Sequence, residues 1–304
     1  MTIERRAVAA REQWLQWRKT DLTASDLGAV AGVDDYRSPL AVYAEKRGLI
    51  IPEETPLMRR GRWFESAASS ALSETLEGWT IENPHAYYRE VETRLACTPD
   101  RFGYPPSGEL VNIQIKTIAA PSFEAWEGIP PLSYQIQTAA EGYLVDAARS
   151  LLAVLVVSTY GAELELFDVP RHAAAEEKCR QLALEFWRNM EAGLMPAADY
   201  RRDGGIIAAM NPHAVPAKVA DLSSDNRLHE ILPRRAELKA VIKTAVEEVE
   251  TIDAELREKM ADAETGELPG WKLSLKMQQR KESIMPAWSG RVLRVTDRRK
   301  GGDQ

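Results

Sequence analysis

Cysteine and histidine are scarce in this chain. Its 304 residues include two cysteines, Cys97 and Cys179, and four histidines. Two cysteines so far apart make neither a disulfide framework nor a CxxC site. The scattered histidines form no HxxH or HExxH pattern, which excludes the common zinc chemistries. No apolar run approaches the ~18 residues that a membrane helix needs, and the opening MTIERRAVAAREQW does not have the form of a signal peptide. The expectation is a chain with no membrane partner in a reducing, cytoplasmic compartment. Net positive charge is lacking too, at −7 for the whole chain. What basic charge there is gathers in residues 270–304, with nine Lys/Arg against three acids. Such an edge steers a polyanion even on an acidic protein, or is simply a solvated terminus.

What is present is 44% hydrophobic and 28% charged residues, the composition of a large folded domain with an extension. Residues 4–20 read as a helix with Trp14 and Trp17 on one face, a pair expected in the core. TASDL at 23–27 reads as a helix start with Ser25 as its cap. Helices follow over 40–47 and 59–76, two short strands over 80–92 and 94–101, and a strand over 109–117. A helix from Pro131 to about 148, strands over 151–158 and 162–169, and a helix over 173–192 complete the pattern. That succession predicts an α/β domain with a mixed central β-sheet flanked by helices.

Boundaries are expected at 1–200 for this domain, 201–226 for a linker and 227–304 for a C-terminal extension. In the extension, Leu238, Ile242, Ala245, Val249, Ile252 and Leu256 recur at alternating steps of four and three. The reading is a helix packed on the strand-like runs KLSLKMQQRKESI and RVLRVTD that follow, with a dimer zipper as the alternative.

The stretch NIQIKT at 112–117 alternates polar and apolar residues, a strand with one packed and one free face. Upstream stands Pro99-Asp100, with thirteen residues between Asp100 and Gln114 and a turn at 105–108. If the two strands pair antiparallel, Asp100, Gln114 and Lys116 meet at an open sheet edge. A carboxylate, an oxygen-bearing amide and a lysine suit divalent-metal phosphodiester chemistry. Glu65, on the helix RRGRWFE, and Gln135 and Gln137, in SYQIQ, are further candidates in chain order.

These blocks, with LTASDLGAVAGVDDYRSPLAVYAEKRG, resemble the YqaJ-like viral recombinases, the family of the lambda-type phage exonucleases within the PD-(D/E)XK nucleases. The likeness spans residues 14–145, and weaker echoes lie in WKLSLKMQQRK and RVLRV. The resemblance implies a Mg²⁺-dependent deoxyribonuclease, with Mn²⁺ as a possible ion, that digests one strand of linear duplex DNA from 5′ ends. It implies 3′ tails for a single-strand annealing partner, a homo-oligomeric ring, and the host cytoplasm if phage-encoded. It assigns the metal to Asp100, Gln114, the carbonyl of Ile115 and Glu65, and the attacking water to Lys116 and Gln137, with Gln135 a weaker match. Arg18 and Ser25 match the pocket for the terminal 5′-phosphate.

Two positions depart from the family pattern. Gln114 stands where an acid is expected, and Glu141 stands four after Gln137 where an aromatic residue is common. Two rivals therefore stay open: a DNA-end-binding scaffold with a weakened site, and a structure-specific endonuclease on the same fold.

Overall fold

The computed structural model describes residues 2–51, 54–279 and 290–296. They form two compact units, Met1–Pro212 and His213–Gln304.

The first unit opens with β1 (Ile3–Ala7) and α1 (Arg11–Thr20), then β2 (Leu22–Thr23) and α2 (Ala24–Val30). The expected helix over 4–20 is thus a strand followed by a helix. Residues 3–7 pair with a strand far along the chain, Arg5 opposite Tyr88, and this long-range pairing overrides local helix preference. Nor are Trp14 and Trp17 core residues, since α1 has no buried residue. Trp17 leans on Tyr87 at 5.4 Å between centroids, and the Trp14 indole N–H donates to Thr98 Oγ1 at 2.9 Å.

The cap of α2 is Thr23, two residues earlier than Ser25. The Thr23 N–H and Oγ1–H both donate to Asp26 Oδ2, at 3.0 and 2.8 Å, half of a capping box. Next come α3 (Pro39–Lys46) and α4 (Pro56–Thr75). Each starts with proline at its first turn and a hydroxyl cap, Ser38 accepting from Ala41 N–H and Thr55 from Met58 N–H.

Where two strands were expected over 80–101 there are four: β3 (Thr80–Glu82), β4 (Ala86–Glu90), β5 (Leu95–Cys97) and β6 (Arg101–Tyr104). His85 and Arg94, at φ 44° and 55°, turn the chain between them. The remainder is β7 (Val111–Ala119), α5 (Ala120–Glu124), α6 (Leu132–Leu144), β8 (Arg149–Val157), β9 (Ala162–Pro170), α7 (Ala173–Glu191) and α8 (Gly204–Met210).

One sheet runs β1-β4-β5-β2 and the other β3-β6-β7-β8-β9. The second is mixed, β7–β8 being parallel and its other pairs antiparallel. The mixed α/β architecture expected from the sequence is present.

The strand β7 is not an edge. It lies between β6 and β8, and both its faces are covered. Val111, Ile113 and Ile115 pack with Ala68 and Leu72 of α4. On the other face, Asn112 reaches the Thr138 carbonyl of α6, and Gln114 is only 4% exposed. The polar half of the alternating pattern therefore faces a helix rather than solvent. Helix α6 also packs tightly on α2: a Cβ on Gly28 would stand 2.7 Å from Ser133 Cβ, so only glycine permits this approach.

The second unit holds α9 (Leu228–Met260), β10 (Thr265–Leu268) and β11 (Trp271–Ser274). The two strands form a hairpin that turns at Pro269-Gly270, with Leu268 opposite Trp271. Residues 280–284 of the first strand-like run and residue 297 of the second lie outside the described residues, and along the described hairpin the helix is not packed on the strands over its length. Met260 is its one buried residue, and contact is confined to its C-terminal end, where Leu256 and Met260 line a small hollow with Leu273 and Leu275. Residues 291–296 of the RVLRVTD run are not in a strand. Arg280, Lys281, Arg298, Arg299 and Lys300 of the basic tail lie outside the described residues.

Candidate active site

The antiparallel pairing of β6 with β7 places Arg101 opposite Ile113. Asp100, just before β6, is thereby set against Gln114 and Ile115. Asp100 Oδ2 accepts from the Gln114 amide Nε2 at 2.6 Å and from the Ile115 backbone N–H at 2.9 Å. The same Gln114 nitrogen donates to the Ile115 carbonyl at 3.2 Å. Among the described residues, Gln114 Oε1 is buried without a hydrogen-bond partner.

An NH₂ group thus sits between two oxygens, and the amide oxygen beside it is unsatisfied. Turning the amide over would gather a carboxylate, an amide oxygen and a backbone carbonyl around one point. Three oxygen donors with space for water suit a hard divalent cation, though only one of them is charged. Among the described residues, no group of three or more His, Cys, Asp or Glu is placed to hold a metal.

Beside this notch, Lys116 Nζ donates to Gln137 Oε1 at 2.8 Å, and Gln137 Nε2 donates to Glu141 Oε1 at 2.9 Å. A lysine on the sheet and a carboxyl on α6 thereby fix both ends of one amide. Glu141 is buried beside Asn112. Burial, then the Asp100 charge, push its carboxyl up to about 8, so it is largely protonated at neutral pH. Burial also raises Asp100, to about 6, against the Ile115 N–H and the Lys116 charge. Lys116 is lowered by burial, with Asp100 and Glu141 opposing.

Glu65 stands at the margin and pairs with Arg101 at 2.9 Å. Gln135 is not brought to the notch; its amide donates to the Pro130 carbonyl at 2.7 Å and steadies the start of α6.

Arg18 and Ser25 meet as their spacing suggested, Arg18 Nη2 donating to Ser25 Oγ at 3.2 Å. The guanidinium also lies 4.8 Å from the centre of the Trp14 ring. Behind them is a buried ion cluster. Asp26 pairs with Lys46 at 2.7 Å and Arg37 at 2.8 Å, and Lys46 also donates to the Arg18 carbonyl. Burial raises the Asp26 carboxyl, but Lys46, Arg37 and Arg18 outweigh it and hold it far below the usual range.

One cavity of about 360 Å³ joins the two groups, lined by Arg18, Ser25, Glu65, Asp100, Gln137 and Glu141. Trp14, expected in the core, also lines it, as do Thr98, Asn83 and His85, which were not singled out from the sequence. For Trp14 a signal existed: it stands four residues before Arg18, on the same helix face.

Residues 13–144 match the family described as the YqaJ-like viral recombinase domain. This segment is similar to YqaJ-like domains. Its span nearly coincides with residues 14–145, where the resemblance was read, and it contains both the Arg18–Ser25 pair and the Asp100 notch. No curated protein matches the chain.

Several solved structures are similar to it. The alkaline exonuclease LHK-Exo from Laribacter hongkongensis is 18% identical at a TM-score of 0.45, over 65% of this chain and 100% of that one. LHK-Exo in complex with dAMP gives 16% and 0.47 over the same shares. A phage-related exonuclease from Haemophilus somnus 129PT gives 15% and 0.43, over 57% of this chain and 96% of that one. Likeness this slight assigns neither substrate nor activity.

Proposed function

We propose that the YqaJ-like domain is a divalent-metal exonuclease that digests one strand of linear duplex DNA from a 5′ end and leaves a 3′ single-stranded tail. The observation that carries this reading is the Gln114 amide held between Asp100 and the Ile115 carbonyl, in the same cavity as Arg18 and Ser25.

Asp100, Gln114 Oε1 and the Ile115 carbonyl would hold Mg²⁺, or Mn²⁺, with Glu65 at the margin. The ion, when bound, supplies Lewis-acid polarisation of the scissile phosphate. Lys116 and Gln137 orient the attacking water: the Gln137 carbonyl is fixed by the lysine, and its NH₂ by Glu141. Arg18 and Ser25 grip the terminal phosphate through charge-assisted hydrogen bonds, with Lys46 and Asp26 bracing them from behind. The 3′ tails suit a single-strand annealing protein, and a ring of copies would keep an acidic protein on its DNA.

The test is digestion of 5′-phosphorylated linear duplex beside closed circular duplex, with each metal. Cleavage of the linear form alone, releasing nucleotides from the 5′ end, is expected. Cutting of circles would make the protein an endonuclease. The lone carboxylate in the notch favours one other reading, an end-binding scaffold with a weakened site, and binding of linear ends without turnover in either metal would select it.

A further inference from the structure

Helix α9 carries an apolar stripe that nothing among the described residues of its own unit covers. Leu238, Ile242, Val249 and Ile252 are each between 45% and 61% exposed, and they recur at steps of four and three over residues 238–256. Val241 and Val246 flank and widen the stripe, at 65% and 50% exposed. A contiguous apolar band on a helix about 50 Å long is an interaction surface, and a repeat of 3.5 residues is the pattern that holds a seam against another helix.

The charges beside the stripe identify that other helix. Arg234, Arg235, Lys239 and Lys243 lie in the N-terminal half of α9, and Glu247, Glu248, Glu250, Asp253 and Glu255 in the C-terminal half. A parallel second copy would bring Arg234 to Lys239 and Glu248 to Asp253, like charges in every flanking ionic contact. An antiparallel copy reverses this. With Val246 facing Val246 of the second copy at the centre, Ile242 meets Ile252, Val249 meets the small Ala245, and Leu238 meets Leu256. Lys239 then meets Asp253 at both ends. One like-charge contact remains, Glu248 with its counterpart near the axis. Among the described residues Lys239 has no ion-pair partner, and Asp253 has only Arg257, at 3.9 Å. The acidic half also speaks against an anionic lipid surface as the occupant.

We propose that α9 is a self-association element which pairs antiparallel with α9 of a second copy of this chain, centred at Val246. Cysteine scanning of the full chain tests it, because Cys97 and Cys179 are buried and the unmodified protein is the control. With a short thiol crosslinker, Val246→Cys is expected to give a covalent dimer, and Leu238→Cys alone to stay uncrosslinked. Leu238→Cys mixed with Leu256→Cys is expected to crosslink.

Crosslinking of Leu238→Cys as efficient as that of Val246→Cys would show parallel pairing and overturn the proposal. So would a Val246→Cys protein that remains uncrosslinked, which would leave the stripe to a different partner. In sedimentation, Lys239→Glu should weaken self-association about tenfold, and Lys239→Glu with Asp253→Lys should restore it. An oligomer indifferent to both charge changes would be held together elsewhere and would also overturn the proposal.

Discussion

The Gln114 amide nitrogen lies 2.6 Å from Asp100 Oδ2 and 3.2 Å from the Ile115 carbonyl oxygen, a donor lodged between two acceptors. The same residue that closes the notch can open it by rotating its amide, since an amide offers either face. Gln114→Glu should therefore tighten Mg²⁺ and Mn²⁺ by about tenfold or more, worth ~1.4 kcal/mol. It should also make thermal stability more dependent on the added metal, because two carboxylates then repel in its absence. Gln114→Ala should lose metal affinity. Calorimetric titration and melting with each ion read both changes, and an alanine variant that binds metal like the parent would remove Gln114 from the ligand set.

Asp100→Asn removes the one carboxylate of the notch while keeping its shape. Metal-dependent cleavage should fall by several orders of magnitude with an unaltered circular dichroism spectrum. Unchanged digestion would place the active site elsewhere.

Arg18→Ala should slow digestion of 5′-phosphorylated ends far more than that of 5′-hydroxyl ends. A lost charge-assisted phosphate contact is worth roughly 1.5–3 kcal/mol. Equal slowing on both substrates would assign Arg18 a general or structural part instead.

Glu141 makes a prediction in pH. Its folded value of about 8 exceeds the ordinary 4.5, so between those pH values the folded chain binds more protons than the unfolded one. Stability must then fall as pH rises through that window. Asp100, raised from 3.8 to about 6, contributes the same sign at lower pH. Glu141→Gln, measured by urea unfolding with chelator present, should flatten this slope and be more stable than the parent at pH 8 by roughly 1–3 kcal/mol. An unchanged slope would mean that Glu141 ionises freely in the folded protein.

How far the site could be read from the sequence follows from where its contacts lie. Asp100 and Gln114 are joined by a single turn, so alternation and one antiparallel pairing suffice to bring them together. Arg18 and Ser25 are seven residues apart and meet across the junction of α1 and α2. The burial of Gln114 was illegible because α6 arrives only after an intervening helix, and polar strand residues look alike whether they face water or a helix carbonyl. The strand at Ile3–Ala7 depends on a partner far along the chain, which no local pattern reports. The place of Glu141 was visible as a departure four residues after Gln137. Its buried state, and its hold on the Gln137 amide, needed the helix to be seen against the sheet.

Gly28 gives the contact of α2 with α6 a further meaning. The pocket that would grip a chain end rides on α2, beside Ser25, while the Gln137 amide proposed to place the attacking water rides on α6. Their separation is therefore a fixed gauge, set by two helices pressed together where even one methyl group would force them apart. Under the proposed function, the reach from a gripped chain end to the notch is set by this helix contact, and Gly28→Ala would change that reach without altering any side chain proposed to touch DNA.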